Sequence, residues 1–288
     1  MPLRMKHLAL AGTLAFALSA CDRTPPTFTV QPDAGFAVGT QLDDSDFLND
    51  DPEDDYTSPV MRHLEWEAED DSACAIRYDI EVWPAGDEPH LIEENLTASE
   101  VDVWHTDYDG SYGGGSQVPA GWNVIAKDCA GNRRVAGVGQ DGSPWVGSYV
   151  WQENGENALY WPHDALPHPV QWTGSWQTSI GPWASGSEMR YTSAPGASVS
   201  FAHPFQEGDH IGLVMAKGPG RGSAAIYVDD VQVATVNTHA PANDNRRIVF
   251  DQRMTAGTHT LKVVNLATAG HARIDVDAFL TDTSGLEG

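Results

Sequence analysis

Tryptophan is concentrated in one stretch of the chain. Six of the ten tryptophans lie between residues 145 and 183, namely Trp145, Trp151, Trp161, Trp172, Trp176 and Trp183. An indole ring can cover the apolar face of a ligand while its N–H donates a hydrogen bond, so tryptophan suits binding surfaces. Trp161 and Trp183 lie among Pro and Gly and are predicted on loops, where they could contact a ligand. For Trp172 and Trp176 the alternative is that they fill the core.

A glycine-rich segment with two basic residues is a second candidate site. Lys217 and Arg221 flank Gly218-Pro219-Gly220 on either side. They are two of only eight basic residues in 141–288. The segment lacks the Gly-Lys-Ser/Thr ending of a phosphate loop and joins two predicted strands, which argues against a nucleotide site. A guanidinium can pair bidentately with the carboxylate of a uronic or sialic acid, so Arg221 is a binding candidate. The alternative is an ordinary soluble loop.

The sequence lacks the residue patterns of serine hydrolases and metalloproteases. None of the serines near residue 185 has the two flanking glycines of a nucleophile elbow. His163, Asp164 and His168 lie in a Pro-rich connection without metalloprotease spacing. Asp275 and Asp277 alternate along one predicted strand and are expected to form a solvent-facing acidic stripe, with structural calcium as the alternative. We therefore predict a protein that is not an enzyme and has no cofactor apart from that possible calcium.

The charge of the chain restricts its partners. The 288 residues carry a formal charge of −25, with 41 acidic and 16 basic residues. Non-specific nucleic-acid binding needs clustered Lys and Arg, so nucleic acid is excluded as a partner. The 28 glycines and 18 prolines, with few long apolar runs, predict a turn-rich all-β fold.

The N-terminus has the order of an export signal. Arg4 and Lys6 precede the apolar stretch 8–20, which is too short to span a bilayer. Leu18-Ser19-Ala20-Cys21 resembles the bacterial lipobox, which implies cleavage before Cys21 and acylation of that cysteine. We predict a signal peptide over 1–20 and an exported protein in the cell envelope, held on a membrane through lipid alone. Which membrane it occupies is left open.

The segment 21–59 is predicted to be a disordered acidic tether. Residues 43–55 include eight acidic side chains, a composition that repels itself and buries little apolar surface. A calcium loop in this segment is disfavoured because the required Gly and Glu are not in register.

Residues 60–140 read as short strands joined by turns. Ile76, Tyr78, Ile80 and Val82 alternate with charged residues, which is typical of a half-buried strand. With export, Cys74 and Cys129 are expected to form a disulfide, two free thiols being the alternative. The segments Leu64–Ser72, Ile76–Val82 and Ala126–Asn132 resemble bacterial fibronectin type III or immunoglobulin-like spacer domains, which implies a small β-sandwich without chemistry of its own.

Residues 145–283 form the more distinctive predicted module. Seven segments carry a resemblance to galactose-binding-like jelly rolls of the kind found in carbohydrate-binding modules: Trp172–Trp176, Tyr191–Thr192, Gly196–Phe201, Gly208–Leu213, Ala225–Asp230, Ala256–Leu261 and Ile274–Phe279. The resemblance implies a second β-sandwich. It departs at Asp230, where such domains usually place Gly in a hairpin turn.

These observations predict two sandwiches after a signal peptide and a tether. The first hypothesis is a non-catalytic, envelope-anchored lipoprotein whose jelly roll binds a polysaccharide or glycoconjugate through Trp161, Trp172, Trp176, Trp183 and Arg221. The alternative is a structural or adhesive surface protein whose jelly roll binds another protein.

Overall fold

The computed structural model describes residues 23–42, 60–71, 75–84, 89–104, 120–138, 146–152, 170–185 and 188–284. These residues are all-β, as predicted, and contain no α-helix. Their strands are β1 (Thr27–Phe36), β2 (Met61–Glu69), β3 (Arg77–Pro84), β4 (His90–Leu96), β5 (Glu100–Trp104), β6 (Ala120–Lys127), β7 (Arg133–Val138), β8 (Val146–Gln152), β9 (Val170–Thr173), β10 (Gln177–Ile180), β11 (Glu188–Thr192), β12 (Ser198–Phe205), β13 (His210–Lys217), β14 (Ser223–Val228), β15 (Val231–Asn237), β16 (Asp244–Arg253), β17 (Gly257–Asn265) and β18 (Ile274–Ser284). Among them there is no helix long and apolar enough to cross a membrane.

The N-terminal sandwich consists of two antiparallel sheets. One has the order β1-β2-β5, and the facing sheet has β4-β3-β6 with β7 on the other edge of β6. Apolar side chains from both sheets share one core, in which Trp66 and Trp122 are fully buried and Trp66 meets Tyr78 edge to face at 5.3 Å. Ile80 and Val82 point into this core, as their alternation predicts. The resemblance to fibronectin type III or immunoglobulin-like domains stays a prediction.

The predicted disordered tether is wrong over residues 27–42. Thr27–Phe36 is the first strand of the N-terminal sandwich, with Phe28 and Ala34 in its core. The segment 23–42 contains only Arg23 and Asp33 as charged side chains and is neutral. The acidic run 43–55 dominates the composition of residues 21–59, so that composition did not reveal the strand-forming sequence before it. Residues 43–59 lie outside the described part of the chain.

The C-terminal sandwich packs two five-stranded layers. One layer has the order β10-β11-β18-β13-β16, and the other has β15-β14-β17-β12-β9. The core between them includes Phe201 and Phe279, whose rings stack at 4.8 Å. Strand β8 pairs with the end of β18 and bridges to β6 at Ala120 and Val146, so backbone pairing continues from one sandwich into the other.

The departure at position 230 lies in the hairpin turn between β14 and β15. Asp229 and Asp230 both have positive φ, 48° and 63°, as a type I′ turn requires. The Asp229 carboxylate accepts a hydrogen bond from the Thr260 backbone N–H at 2.9 Å and contacts His259 Nδ1 at 2.6 Å. These bonds hold Asp229 in the left-handed region, whereas Asp230 adopts the same region with a side chain that is 92% exposed.

A buried ion pair joins the two sandwiches. Arg62 in β2 donates from Nη1 to Asp282 Oδ1 in β18 at 2.6 Å, and from Nη2 to the Ala34 carbonyl at 2.7 Å. Both side chains of the pair are almost completely buried, and the guanidinium also lies over the Phe36 ring at 4.5 Å. Burial raises the pKa of Asp282, although the Arg62 charge acts in the opposite direction. This pair ties the N-terminal sandwich to the central strand of the C-terminal one.

His210 lies at the same contact between the two sandwiches, which we call the seam. Its Nδ1 lies 3.0 Å from Asp251 Oδ2 and its Nε2 lies 3.4 Å from Asp33 Oδ1, while its backbone N–H donates to Asp282. Burial alone would lower the pKa of His210, but hydrogen bonds and charges from Asp251 and Asp33, with the charge of Asp282, raise it to about 10. His210 is therefore a cation at neutral pH.

The raised pKa of His210 predicts a loss of stability in alkali. Between the ordinary histidine pKa of 6.5 and about 10, the folded protein keeps a proton that the unfolded chain releases. The stabilisation is complete below 6.5 and declines as pH rises through this window. Urea denaturation across the window should show a falling midpoint in the wild type and a flatter dependence in His210→Gln. Equal slopes in both proteins would contradict this prediction.

Cys129 follows β6 and is disulfide-bonded. Its predicted partner Cys74 lies outside the described residues, so the Cys74–Cys129 pairing stays a prediction. A bridge closing a loop of that length should contribute roughly 4 kcal/mol in the chain-entropy model. Reducing agent should therefore lower the melting temperature of the wild type and leave that of the Cys74→Ser/Cys129→Ser variant unchanged. The same melting curve for the wild type with and without reductant would contradict the bridge.

Candidate functional site

Tyr191 faces outward from the first layer of the C-terminal sandwich. Its neighbour Arg190 lies over the ring of Trp172, which packs against the core, so the adjacent Tyr191 points to the opposite face. Tyr191 is in register with Gln177 of β10 on one side and Asp275 of β18 on the other. The Tyr191 hydroxyl donates to Gln177 Oε1. Three strands thus place polar side chains in one row.

Arg273 covers Tyr191. Its guanidinium carbon lies 3.9 Å from the centre of the phenol ring. Nε of Arg273 donates to both carboxylate oxygens of Asp275 at 2.9 Å, and Nη2 donates to Oδ1 of the same residue. The Arg273 side chain is 34% exposed, whereas Asp275 is fully buried. We call Tyr191, Arg273 and Gln177 the Tyr191–Arg273 platform.

The expectation that Asp275 and Asp277 form a solvent-facing stripe is wrong. Both are fully buried, because the Arg221 and Arg273 side chains cover Asp275 and the turn at Ser185 covers Asp277. Asp275 accepts from Arg273 and also from Arg221 Nε at 2.8 Å, and Asp277 accepts from the Ser185 backbone N–H at 2.9 Å. Two guanidinium groups on one carboxylate leave a net positive charge at the platform.

Arg221 has a different place from the one predicted for it. Its side chain is 12% exposed, with Nε on Asp275 and Nη1 on Asn243 Oδ1 at 2.9 Å. A Cβ at position 218 would lie 2.2 Å from Arg221 Nη1, so Gly218 makes room for the guanidinium. Arg221 therefore positions Asp275 from behind, and the reachable guanidinium is that of Arg273.

Trp172 and Trp176 pack against the core. The two rings meet edge to face at 4.6 Å, and both contact the apolar interior of the C-terminal sandwich. The indole N–H of Trp176 donates to the Thr173 carbonyl at 3.1 Å. Both rings are half-buried, and this packing corresponds to the core-filling alternative.

Trp183 is an exposed tryptophan. Its side chain lies on a turn and is 43% exposed. The indole lies against Gly181, where an added Cβ would come within 2.2–2.4 Å of three ring carbons. Gly181 thus allows the ring to lie flat on the backbone. Trp161 lies outside the described residues and Trp151 is described only as backbone in β8, so the predicted ligand contact of Trp161 stays a prediction.

The turn that carries Trp183 is fixed beside the platform. Ala184 packs against Met189 of β11, which lies on the same face as Tyr191 and two residues before it. The Ser185 backbone N–H is held by Asp277. The turn that carries Trp183 is therefore fixed at two residues, against a part of β11 two positions from Tyr191.

The predicted calcium has no evident donor set at these residues. Both oxygens of Asp275 accept from guanidinium groups, which occupy the lone pairs a cation would need. In the part of the chain that the structure describes, no cluster of three or more His, Cys, Asp or Glu side chains could hold a metal ion.

A second tyrosine and cation pair lies on the opposite layer. Lys262 Nζ is 5.9 Å from the ring centre of Tyr227, and the two residues are in register on β17 and β14. Lys262 also lies 3.9 Å from Asp230. This pair has no buried carboxylate beneath it and no neighbouring tryptophan among the described residues, so it serves as a matched comparison for the platform.

Tyr191 belongs to a segment that resembles the jelly roll, but neither it nor Arg273 was predicted as a site residue. The available signal was a rare basic residue directly before β18, two positions before Asp275. The tyrosine comes from β11, and only strand pairing brings the two together.

Comparisons with known proteins found similar structures but no matching family. No protein-family model and no curated protein matches the chain. A family 36 carbohydrate-binding module of a multidomain xylanase from the hindgut metagenome of Trinervitermes trinervoides is 13% identical over 49% of this chain and 100% of its own, with a TM-score of 0.33. A family 35 module of Cellvibrio japonicus Abf62 is 14% identical over 49% of this chain and 100% of its own, with a TM-score of 0.35. A Podospora anserina mannanase carrying a family 35 module is 12% identical over 48% of this chain and 28% of its own, with a TM-score of 0.34.

Proposed function

We propose that this protein is a non-catalytic glycan-binding lipoprotein of the bacterial cell envelope, whose C-terminal sandwich binds a polysaccharide or glycoconjugate at the Tyr191–Arg273 platform. The observation that carries the proposal is the half-buried stack of Arg273 on Tyr191, on the same layer as the turn that carries the exposed indole of Trp183. An aromatic surface next to fixed hydrogen-bond donors is what a sugar ring requires, because it has an apolar face and a rim of hydroxyls.

The platform offers donors that are held in place before a ligand arrives. Within the described residues Asp275 engages Nε and Nη2 of Arg273, which leaves Nη1 to donate to a sugar oxygen. Gln177 retains its side-chain N–H₂ group, since the Tyr191 hydroxyl bonds to its oxygen. Because Asp275, itself bonded to Arg221, already holds the Arg273 guanidinium, little side-chain entropy is lost on binding.

The overall negative charge does not prevent an acidic glycan from binding here. The charge of −25 repels a polyanion at long range, but at physiological ionic strength the Debye length is about 8 Å. The Arg273 guanidinium next to the ligand, with the charge of Arg221 behind Asp275, then dominates. Neutral and uronic-acid polysaccharides are therefore both appropriate probes.

Affinity electrophoresis of the purified full chain tests the proposal. Native gels cast with a panel of neutral and uronic-acid polysaccharides should retard the protein in at least one case, with an unrelated acidic protein as the mobility control. Parallel gels with EDTA show whether a metal ion takes part. Unretarded migration in every gel would contradict glycan binding.

The anchoring part of the proposal rests on Cys21. Replacing Cys21 by Ser should release the protein from the membrane fraction into the soluble fraction, because lipid chains are its expected means of attachment. Cys129→Ser is the matched control and should remain with the membrane. Membrane retention of the Cys21 variant without detergent would contradict lipidation.

One observation favours the adhesive alternative. Strand β15 lies at the edge of its layer and exposes Val231 and Val233, which alternate onto one face. Exposed apolar edge strands can pair with a strand of another protein. Chemical cross-linking on intact cells should then give a protein adduct that Val233→Lys abolishes, whereas polysaccharide binding would persist in this variant.

A further inference from the structure

A cleft opens where the chain leaves the N-terminal sandwich and crosses the edge of the C-terminal one. Residues 39–42 run beside β16, with Gly39 N–H donating to the Ile248 carbonyl at 2.8 Å and Leu42 N–H donating to the Arg246 carbonyl at 2.8 Å. Under this segment, between the ends of β13, β15 and β16, lies a cavity of about 330 Å³. A cavity of about 470 Å³ adjoins it and shares Gly39 and Arg247.

The polar groups of the smaller cavity have an excess of positive charge. Lys217, Arg247, Asp244 and Asn237 line it. Arg247 is held by bonds from Nε to Asp244 Oδ1 and from Nη1 to the Gly39 carbonyl, both 2.7 Å. No ion pair or hydrogen bond to the Lys217 ammonium is found among the described residues. Asp244 lies opposite Lys217 on β16, but its Oδ1 accepts a hydrogen bond from Arg247.

The remaining wall of the cavity is apolar. Val38, Val236 and Val249 contribute to it, and Val38 is 56% exposed. Its volume falls in the range of small-molecule sites, which combine apolar walls with a few convergent polar groups. An apolar wall facing a cationic one fits a small ring compound that carries one negative group.

We propose that this cleft binds a sugar carboxylate of the size of one uronic acid ring. The carboxylate pairs with the Lys217 ammonium and the Arg247 guanidinium, and the hydroxyls bond to Asn237 and Asp244. Val38 and Gly39, which line the cavity, come from the N-terminal part of the chain, so the site belongs to the two-sandwich arrangement rather than to the C-terminal sandwich alone.

The cleft and the platform are neighbours but share no residue. Asn243 bonds to Arg221 behind the platform, and the next residue, Asp244, lines the cleft. A polymer could extend from one to the other, whereas a monosaccharide would fill the cleft alone. Either site can therefore fail without the other.

Titration of the full chain with D-glucuronate, followed by calorimetry, tests the cleft. Wild type should bind glucuronate but not D-glucose, and Lys217→Met should weaken binding by about tenfold or more, equal to about 1.4 kcal/mol. Lys217→Arg keeps the positive charge and should retain binding. Lys262→Met on the opposite layer is the control and should bind as the wild type does.

The proposal would be overturned if the wild type gave no heat with glucuronate, or if a Lys217→Met variant with a wild-type melting temperature kept the wild-type affinity. It would also be overturned if Arg273→Met lost glucuronate binding while Lys217→Met did not, or if the wild type bound inorganic sulfate as tightly as glucuronate. The last result would assign the cleft to any small anion. Retardation of the protein in polysaccharide gels tests the platform, and calorimetry with glucuronate tests the cleft, so a failure of one can be distinguished from a failure of the other.

Discussion

Replacing Asp282 by Ala is expected to lower the free energy of unfolding by about 3–5 kcal/mol, the cost of leaving a buried charge without its partner. Arg62 and Asp282 are 2.6 Å apart and are shielded from water. The variant would strand the Arg62 guanidinium in the seam and would remove the acceptor for the His210 backbone N–H. Both losses fall on the contact between the two sandwiches.

Urea denaturation of the full chain measures this effect, and Asp244→Ala is the matched control. Asp244 also pairs with an arginine at 2.7 Å, but both partners are about one-third exposed, so its loss should cost about 1 kcal/mol or less. Replacing both partners, as Arg62→Met with Asp282→Leu, should recover most of the lost stability. If Asp282→Ala does not fold, Asp282→Asn keeps the shape and should still lower the midpoint. An Asp282 variant as stable as Asp244→Ala would contradict the importance of the seam.

Replacing Arg273 by Met is expected to weaken polysaccharide binding by roughly ten- to a hundredfold. A hydrogen bond from a charged group contributes about 1.5–3 kcal/mol, and every 1.4 kcal/mol is a factor of ten. The variant removes the donor Nη1 and the planar guanidinium that lies over the Tyr191 ring. Arg273→Lys keeps the charge without the planar fork and should give an intermediate affinity.

The control for Arg273 is an exposed arginine remote from the platform. Arg133→Met, on β7 of the N-terminal sandwich, changes the net charge by the same amount. Affinity electrophoresis should show normal retardation for Arg133→Met and reduced retardation for Arg273→Met. Equal mobility shifts would mean that net charge, and not the platform, governs binding.

Patterns within a single strand predicted the structure most accurately. Ile274 and Val276 alternate with charged residues and do point into the core, because a strand presents successive side chains to opposite faces. The same rule placed Asp275 and Asp277 in solvent, and there it failed. Alternation tells which side chains share a face, but it does not tell whether another part of the chain covers that face.

The composition of residues 21–59 and the number of tryptophans in 145–183 were also poor guides to which side chains are buried. The neutral strand Thr27–Phe36 was assigned to the tether because the acidic run beyond it dominated the composition. The crowded tryptophans suggested a broad aromatic surface, yet Trp172 and Trp176 stabilise the core, whereas Trp183 is exposed.

The contacts that matter most for function and stability are non-local. Arg62 and Asp282 are separated by 220 positions, and Tyr191 meets Arg273 only because β11 pairs with β18. A rare arginine beside a buried aspartate is visible in the sequence only after the strand order is known. Residue types therefore pointed to the module that carries the proposed site, whereas the site itself required the sheet topology.

The most direct test of glycan binding at the platform compares two tyrosines in one titration series. Tyr191→Ala and Tyr227→Ala each remove a tyrosine that lies under a cation, on opposite layers of the same sandwich. The dissociation constant for the polysaccharide that retards the wild type should rise about tenfold or more in Tyr191→Ala and stay unchanged in Tyr227→Ala. Equal constants for both variants, or a loss confined to Tyr227→Ala, would contradict the assignment of the site.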